Sequence, residues 1–287
     1  MKRLIFKTII FNLLAIFLFS FPCLADFRFV VMGDSRGNDD GINTEVLEQV
    51  MDRAGSEGAE FIVFVGDLIT GSKSGHTHRE RLLKWKTLIE GYNIPVYIAI
   101  GNHEIVGERS EDIFRSIFKM PENSPFGLKE LVYSFDHKNA HFVILDTNIY
   151  KKFHRLGKTQ LDWLKKDLAS NKKELVFAFG HEPAYPVGSH KGSSLDAFPA
   201  ERDEVWSVFQ ENKVDMYFCG HEHLYNRSIN QGMLQVITGG AGARPNVSSK
   251  DGGFYHFVIV DVKDNGECEV VVKDNDGVIR DNFVVKE

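Results

Sequence analysis

Five short motifs of carboxylate, amide and imidazole residues succeed one another along this chain: Gly33-Asp34-Ser35-Arg36, Gly66-Asp67, Gly101-Asn102-His103-Glu104, Gly180-His181 and Gly220-His221-Glu222-His223. They offer carboxylate oxygen, amide oxygen and imidazole nitrogen without a thiolate, the set that a hard or borderline divalent cation prefers. Asp34, Asp67, Asn102, His181, His221 and His223 make six candidate ligands. Six exceeds what one catalytic zinc uses and suits two ions about 3.5 to 4 Å apart that share a bridging carboxylate. Taken singly, an Asp after a strand is usually a cap or turn residue, and a His on an apolar run a satisfied core residue. The metal reading rests on all five motifs in order, and on His221 and His223 projecting to one side at period two.

Something must bring these residues together, and the sequence indicates what. Runs of β-formers at 29–32, 61–65, 96–100, 175–179 and 216–219 precede the motifs and are too apolar for half-exposed strands, so they read as strands buried on both faces. Between them lie helical periodicities at 44–54, 79–90, 111–118, 158–169 and 200–211. Strand followed by helix implies crossover connections and largely parallel pairing. Residues 131–136 and 140–146 read as a hairpin around His137-Lys138-Asn139. After His223, strands at 234–238, 254–262, 267–272 and 278–285, with turns at Asp264-Asn265-Gly266 and Asn275-Asp276-Gly277, suggest an antiparallel end. One sheet could not hold so many strands with both faces dry. The expected fold is α/β, a four-layer αββα sandwich of two mixed β-sheets flanked by helices, with the site at the carboxyl ends of the first strands. No linker or low-complexity tract interrupts the motifs, so a single domain is expected over 26–287.

Residues 1–25 read as a signal peptide: Lys2, Arg3 and Lys7, then an apolar stretch, then Cys23-Leu24-Ala25. The expected location is secreted or periplasmic, without stable membrane insertion after cleavage; an uncleaved membrane anchor is the alternative. Loss of those three basic residues would take the formal charge from −6 to −9. So acidic a chain repels phosphate backbones, which argues against general nucleic-acid binding while leaving a local phosphate site open. Cys219 and Cys268 are too few for a disulfide framework; Cys219 reads as a buried thiol, and pairing is left open.

With Gly220-His221-Glu222-His223-Leu224-Tyr225-Asn226-Arg227, His181-Glu182-Pro183-Ala184-Tyr185 and Thr238-Gly239-Gly240-Ala241-Gly242, the chain resembles the calcineurin-like metallophosphoesterase superfamily, and within it the purple-acid-phosphatase branch, over nearly all of 27–262. The resemblance implies the sandwich fold and two divalent or trivalent metal ions, iron, manganese or zinc. It implies Asp34 and His223 on the first ion, Asn102, His181 and His221 on the second, and Asp67 bridging. The ions would lower the pKa of a bound water, hold the phosphoryl oxygens and neutralise charge during in-line attack.

Two residues depart from the family pattern. Arg36 stands where most of the superfamily has a histidine, and Thr70 where purple acid phosphatases have a tyrosine, so the first ion loses a ligand and no purple colour is expected. Arginine cannot ligate a cation. Arg36 is instead expected to bind substrate phosphate through its fork, the bland alternative being an ion pair with Asp39 or Asp40. Asn102 also falls in the substrate-binding set, and the resemblance implies His103 as the first candidate proton donor and His190 as the second. His76 and His78 read as solvated. Arg109, Arg115, Lys119 and Lys191 are possible anion contacts in the loops at 105–129 and 185–199. The expected activity is hydrolysis of a small phosphorylated substrate, monoesters slightly preferred. Alternatives are a phosphodiesterase, or a non-catalytic phospholigand- or metal-binding protein that has lost the first ion.

Overall fold

The computed structural model describes residues 26–37 and 40–285; the signal-peptide expectation over 1–25 lies outside the described residues, as does Asp39. In chain order the elements are β1 (Phe27–Met32), α1 (Thr44–Ser56), β2 (Phe61–Phe64), α2 (Gly75–Glu90), β3 (Val96–Ile98), α3 (Ser110–Ile117), β4 (Tyr133–His137), β5 (Ala140–Ile144), β6 (Asn148–Ile149), β7 (Lys152–Phe153), α4 (Gly157–Ser170), β8 (Leu175–Phe179), α5 (Pro199–Glu211), β9 (Met216–Cys219), β10 (Tyr225–Asn230), β11 (Met233–Thr238), β12 (His256–Val262), β13 (Cys268–Asp274) and β14 (Ile279–Val285). Two six-stranded sheets result, ordered β14-β13-β12-β1-β2-β3 and β10-β11-β9-β8-β5-β4.

Side-chain alternation explains why the strands are apolar throughout. On β1, Phe29 and Val31 enter the core between the sheets while Val30 and Met32 face α1, α2 and α3. On β8, Leu175, Phe177 and Phe179 enter the same central core while Val176 and Ala178 meet the side chains of α4 and α5. Three apolar layers therefore separate four layers of structure, and the chain is the αββα sandwich expected. Phenylalanines fill the middle layer: the Phe29 ring meets Phe142 edge-on at 5.2 Å and Phe177 at 5.2 Å across the interface. Each such ring contributes roughly 1.5 to 3 kcal/mol by burial, which fixes the two sheets, and hence their strand ends, against each other.

Parallel pairing of β1 with β2 and β2 with β3, and of β5 with β8 and β8 with β9, follows from the helical crossovers. The antiparallel end expected after His223 holds for β12 to β14 but not for β11, which pairs in parallel with β9. The cause is β10, a strand with no apolar run: it lies on a sheet edge, where only part of each side chain is covered, and folds back on β11 as an antiparallel partner. Cys219 and Cys268 sit buried in different sheets, on β9 and β13. Among the described residues no helix is long and apolar enough to cross a membrane.

Candidate metal centre

All six candidate ligands emerge from the carboxyl ends of strands at one edge of the sandwich, immediately after β1, β2, β3, β8 and β9. The oxygen donors Asp34, Asp67 and Asn102 come from one sheet and the imidazoles of His181, His221 and His223 from the other. Backbone bonds lace the loops: Asp34 N–H donates to Gly66 O (2.9 Å), Gly220 N–H to His181 O (2.8 Å), and the His221 amide to Asp34 Oδ2 (3.0 Å). The segment after β11 buttresses them, with Ala241 and Ala243 amides donating to the carbonyls of Gly33 (2.8 Å) and Asp34 (2.7 Å).

Three ligands carry left-handed backbone themselves, Asp34 (φ 62°), Asp67 (φ 51°) and His221 (φ 67°), and so does Gly66 (φ 88°) before Asp67. Non-glycine residues adopt that region at a cost, and such torsions gather at functional sites. Gly220 is needed for room: a Cβ there would stand 2.2 Å from Asp34 Oδ2.

Hydrogen bonding settles which imidazole nitrogen faces inward. His181 Nδ1 lies 2.8 Å from Val65 O, His221 Nε2 lies 3.1 Å from Ser193 O, and His223 Nδ1 lies 3.1 Å from Arg244 O. A carbonyl accepts only, so each of those nitrogens carries the proton and the other presents a lone pair, the usual support for a ligating histidine. Burial holds two of the rings neutral: His221 is pushed well below its ordinary range by burial and then by His181, and His223 down to about 4 by burial and then by Arg36. His181 Nε2 thus meets His221 Nδ1 at 3.1 Å, Asn102 Oδ1 at 3.0 Å and Asp67 Oδ1 at 3.3 Å. Two lone pairs and two oxygens converge, and the donors beside them are the His103 backbone amide, which donates to Asp67 Oδ1 at 3.0 Å, and the amide hydrogens of Asn102. A cation satisfies such a set. Asp34, Asp67 and His181 also bring ligand atoms within 4.8 Å of one another.

The carboxylates respond to this crowding. Burial and the neighbouring Asp67 push the Asp34 carboxyl well up, whereas Asp67, despite its own burial, is held down by His181, His103 and Arg36. Oδ1 of Asp34 is buried without a hydrogen-bond partner, 3.6 Å from His223 Nε2.

Arg36 does not pair with Asp40, which takes Lys84 instead. Its Nε lies 3.3 Å from Asp67 Oδ2 and its Nη2 3.3 Å from the inward His223 Nε2. Thr70, at the position of the missing tyrosine, donates through Oγ1 to Gly37 O at 2.5 Å and so ties down the loop that carries Arg36.

His103 lies beside this group. Its Nδ1 accepts from the Gly71 amide at 3.4 Å, which leaves the proton on Nε2, 3.8 Å from Asp67 Oδ2. The His190 ring sits 4.0 Å from that of His221 and lines an open cleft of about 330 Å³ with Arg36, His223, Ala243, Arg244 and Asn246. The cleft gains Arg244, which sequence reading missed. By contrast Arg115 is engaged with Asp112 at 2.7 Å and Lys119 with Glu130 at 3.5 Å. His76 is exposed, as expected, but His78 is fully buried, because α2 begins at Gly75 and puts His78 on its inner face.

Two motif glutamates also escaped notice. Glu104 accepts from the amides of Asp67 (2.8 Å), Gly101 (2.9 Å) and Ile69 (3.3 Å), and burial with the adjacent Asp67 raises its carboxyl to about 8. Glu222 accepts from the amides of Val187 (3.2 Å), Gly188 and His190 (2.9 Å). Alternation along Gly220-His221-Glu222-His223 is the signal: with both histidines on one side, Glu222 must face the other, where buried polar groups need partners.

Residues 27–225 match the family model described as calcineurin-like phosphoesterase. The chain is 30% identical over 201 residues to Purple acid phosphatase 23 of Arabidopsis thaliana, covering 67% of this chain and 42% of that one. It is 25% identical over 218 residues to Tartrate-resistant acid phosphatase type 5 of Sus scrofa, covering 67% and 61%. The aligned part is thus well short of either relative's full length. Similar solved structures include a purple acid phosphatase from yellow lupin (TM-score 0.73, 19% identity, 92% of this chain and 54% of that one) and a dimetal phosphatase from Danio rerio (TM-score 0.67, 16% identity, 91% and 98%). These two likenesses establish the fold.

Proposed function

We propose that this chain, which belongs to the calcineurin-like phosphoesterase family, hydrolyses phosphate esters by metal-activated water, with phosphomonoesters as the preferred class. The observation that carries the reading is the convergence of His181 Nε2, His221 Nδ1, Asn102 Oδ1 and Asp67 Oδ1, a donor set that a cation completes. A metal ion bound there lowers the pKa of water and neutralises charge on the phosphoryl group. The family pattern supports a reading of two ligand positions joined by Asp67, with Asp34 and His223 at the first and Asn102, His181 and His221 at the second.

The chain's own residues supply the remaining chemistry. Arg36 and Asn102 bind the phosphoryl oxygens. His103, whose hydrogen lies on Nε2 beside Asp67, serves the leaving oxygen, while His190, which lines the cleft and is held by Glu222 through its amide, is the second candidate. Preference for monoesters draws on the names of the relatives, and the open cleft sets no obvious limit on the ester group. The apolar N-terminal pattern supports export to the periplasm or medium, with residues 26–287 as one domain. An aryl phosphate assay with Mn²⁺, Zn²⁺ or iron tests the reading. Turnover abolished by chelation and restored by metal is expected; binding of phosphate without turnover under every metal would favour the non-catalytic phospholigand alternative.

A further inference from the structure

The two positions of the centre differ in what completes them. At the second, lone pairs face lone pairs. At the first, the guanidinium of Arg36 has its Nη2 3.3 Å from His223 Nε2 and its Nε 3.3 Å from Asp67 Oδ2, the two atoms that would ligate an ion there. A guanidinium has donors only and a permanent charge, so both approaches are attractive. The backbone that carries it is fixed: the Arg36 amide donates to Asp67 O at 3.1 Å, Arg36 bridges to Ile42, and Thr70 Oγ1 ties the following carbonyl. Two changes from the family pattern, Arg36 and Thr70, thus act on one object, one supplying the cation and the other its support. With the ligands at 36 and 70 replaced, the first position does not fit a second ion.

We propose that Arg36 fills the first metal position as a built-in cation, so that the chain holds one metal ion, with ligands drawn from Asp34, Asp67, Asn102, His181 and His221. The proposal rests on the metal-centre reading above. It also assigns Arg36 the part of the phosphate that a first ion would otherwise hold, since the guanidinium lines the cleft and has five donors, of which one is directed at His223 while Nε, in ion-pair range of Asp67, makes no hydrogen bond.

The test is metal content per chain, by elemental mass spectrometry on purified full-length protein loaded with Mn²⁺, Zn²⁺ or iron and then desalted, with circular dichroism to verify folding. Wild type and Arg36→Lys are expected to hold one ion per chain, and Arg36→His, which restores a ligand, two. In the Mn²⁺ protein, the isolated-ion electron paramagnetic resonance signal of wild type should give way to a spin-coupled one in Arg36→His. Two ions in wild type overturn the proposal and leave the hydrolase reading standing. One ion in a folded Arg36→His protein overturns it as well, because Arg36 is then not what excludes the second. No bound ion in wild type under any metal overturns the metal-centre reading itself.

Discussion

The half of the centre around His181 and His221 and the half around Asp34 and His223 use the same donor types, share Asp67 and rise from the same sandwich edge, yet they are satisfied differently. In the first named, imidazoles stripped of inward protons meet at 3.1 Å and call for a cation from outside. In the other, a cation is part of the chain, 3.3 Å from the same kind of nitrogen. Donor inventory alone does not fix metal stoichiometry; the neighbour that reaches the donors first does. On the proposal above, a single arginine, its loop tied by a threonine from the end of the neighbouring strand, divides one ligand set into an ion-binding half and a self-neutralised half.

The sharpest way to break this comparison is to remove the donors on each side. His221→Ala should cost activity on the order of a thousand-fold and lower metal affinity, because the second half has nothing to replace the ion. Matching kcat and bound metal in His221→Ala and wild type would erase the distinction between halves. Arg36→Ala should have the next largest effect, a fall of about ten- to a hundred-fold in kcat/KM, since charged hydrogen bonds of this kind are worth about 1.5 to 3 kcal/mol. Unchanged kinetics would return Arg36 to a structural role.

Glu222→Ala probes the support rather than the centre. It frees three amides of the loop that carries His190, and should raise KM several-fold with a smaller change in kcat and no loss of metal. Metal loss in that variant would show that the loop belongs to the ion-binding half.

The smallest effect lies outside the centre and serves as its control. His141 is clamped between Asp136 (2.7 Å) and Asp167 (2.9 Å); burial lowers its pKa, but the two carboxylates outweigh burial and the net direction is upward. The protonated form is therefore favoured in the folded state. Its contribution to stability is complete below the unfolded value near 6.5 and is lost as pH rises through the raised folded value. Melting temperature measured from pH 6 upward should show that decline in wild type and in Arg36→Ala alike, and lose it in His141→Gln. A decline that disappears with Arg36 instead would tie it to the centre.

Much of this was legible in the residues. Strands with both faces apolar, helices at three- and four-residue steps and the antiparallel pairing of β12 to β14 followed from patterning, because burial leaves a periodic trace. Where burial is partial the trace fades: β10 carries Tyr225, Asn226 and Arg227 on an edge and reads as part of a motif, so the parallel placing of β11 was missed. Glu104 and Glu222 were passed over for a related reason, since a carboxylate that accepts backbone amides looks, in sequence, like any other carboxylate.

What the sequence determined by itself was the donor list, its order and the sandwich that gathers it, all of which depend on residue type and local period. Tertiary structure alone decided which nitrogen of each histidine faces inward, that Asp34, Asp67 and His221 accept left-handed backbone to aim their groups, and that Arg36 turns away from Asp40 toward Asp67 and His223. Those outcomes depend on carbonyls, amides and charges contributed from loops distant in sequence, and their distances exist only once two sheets have packed.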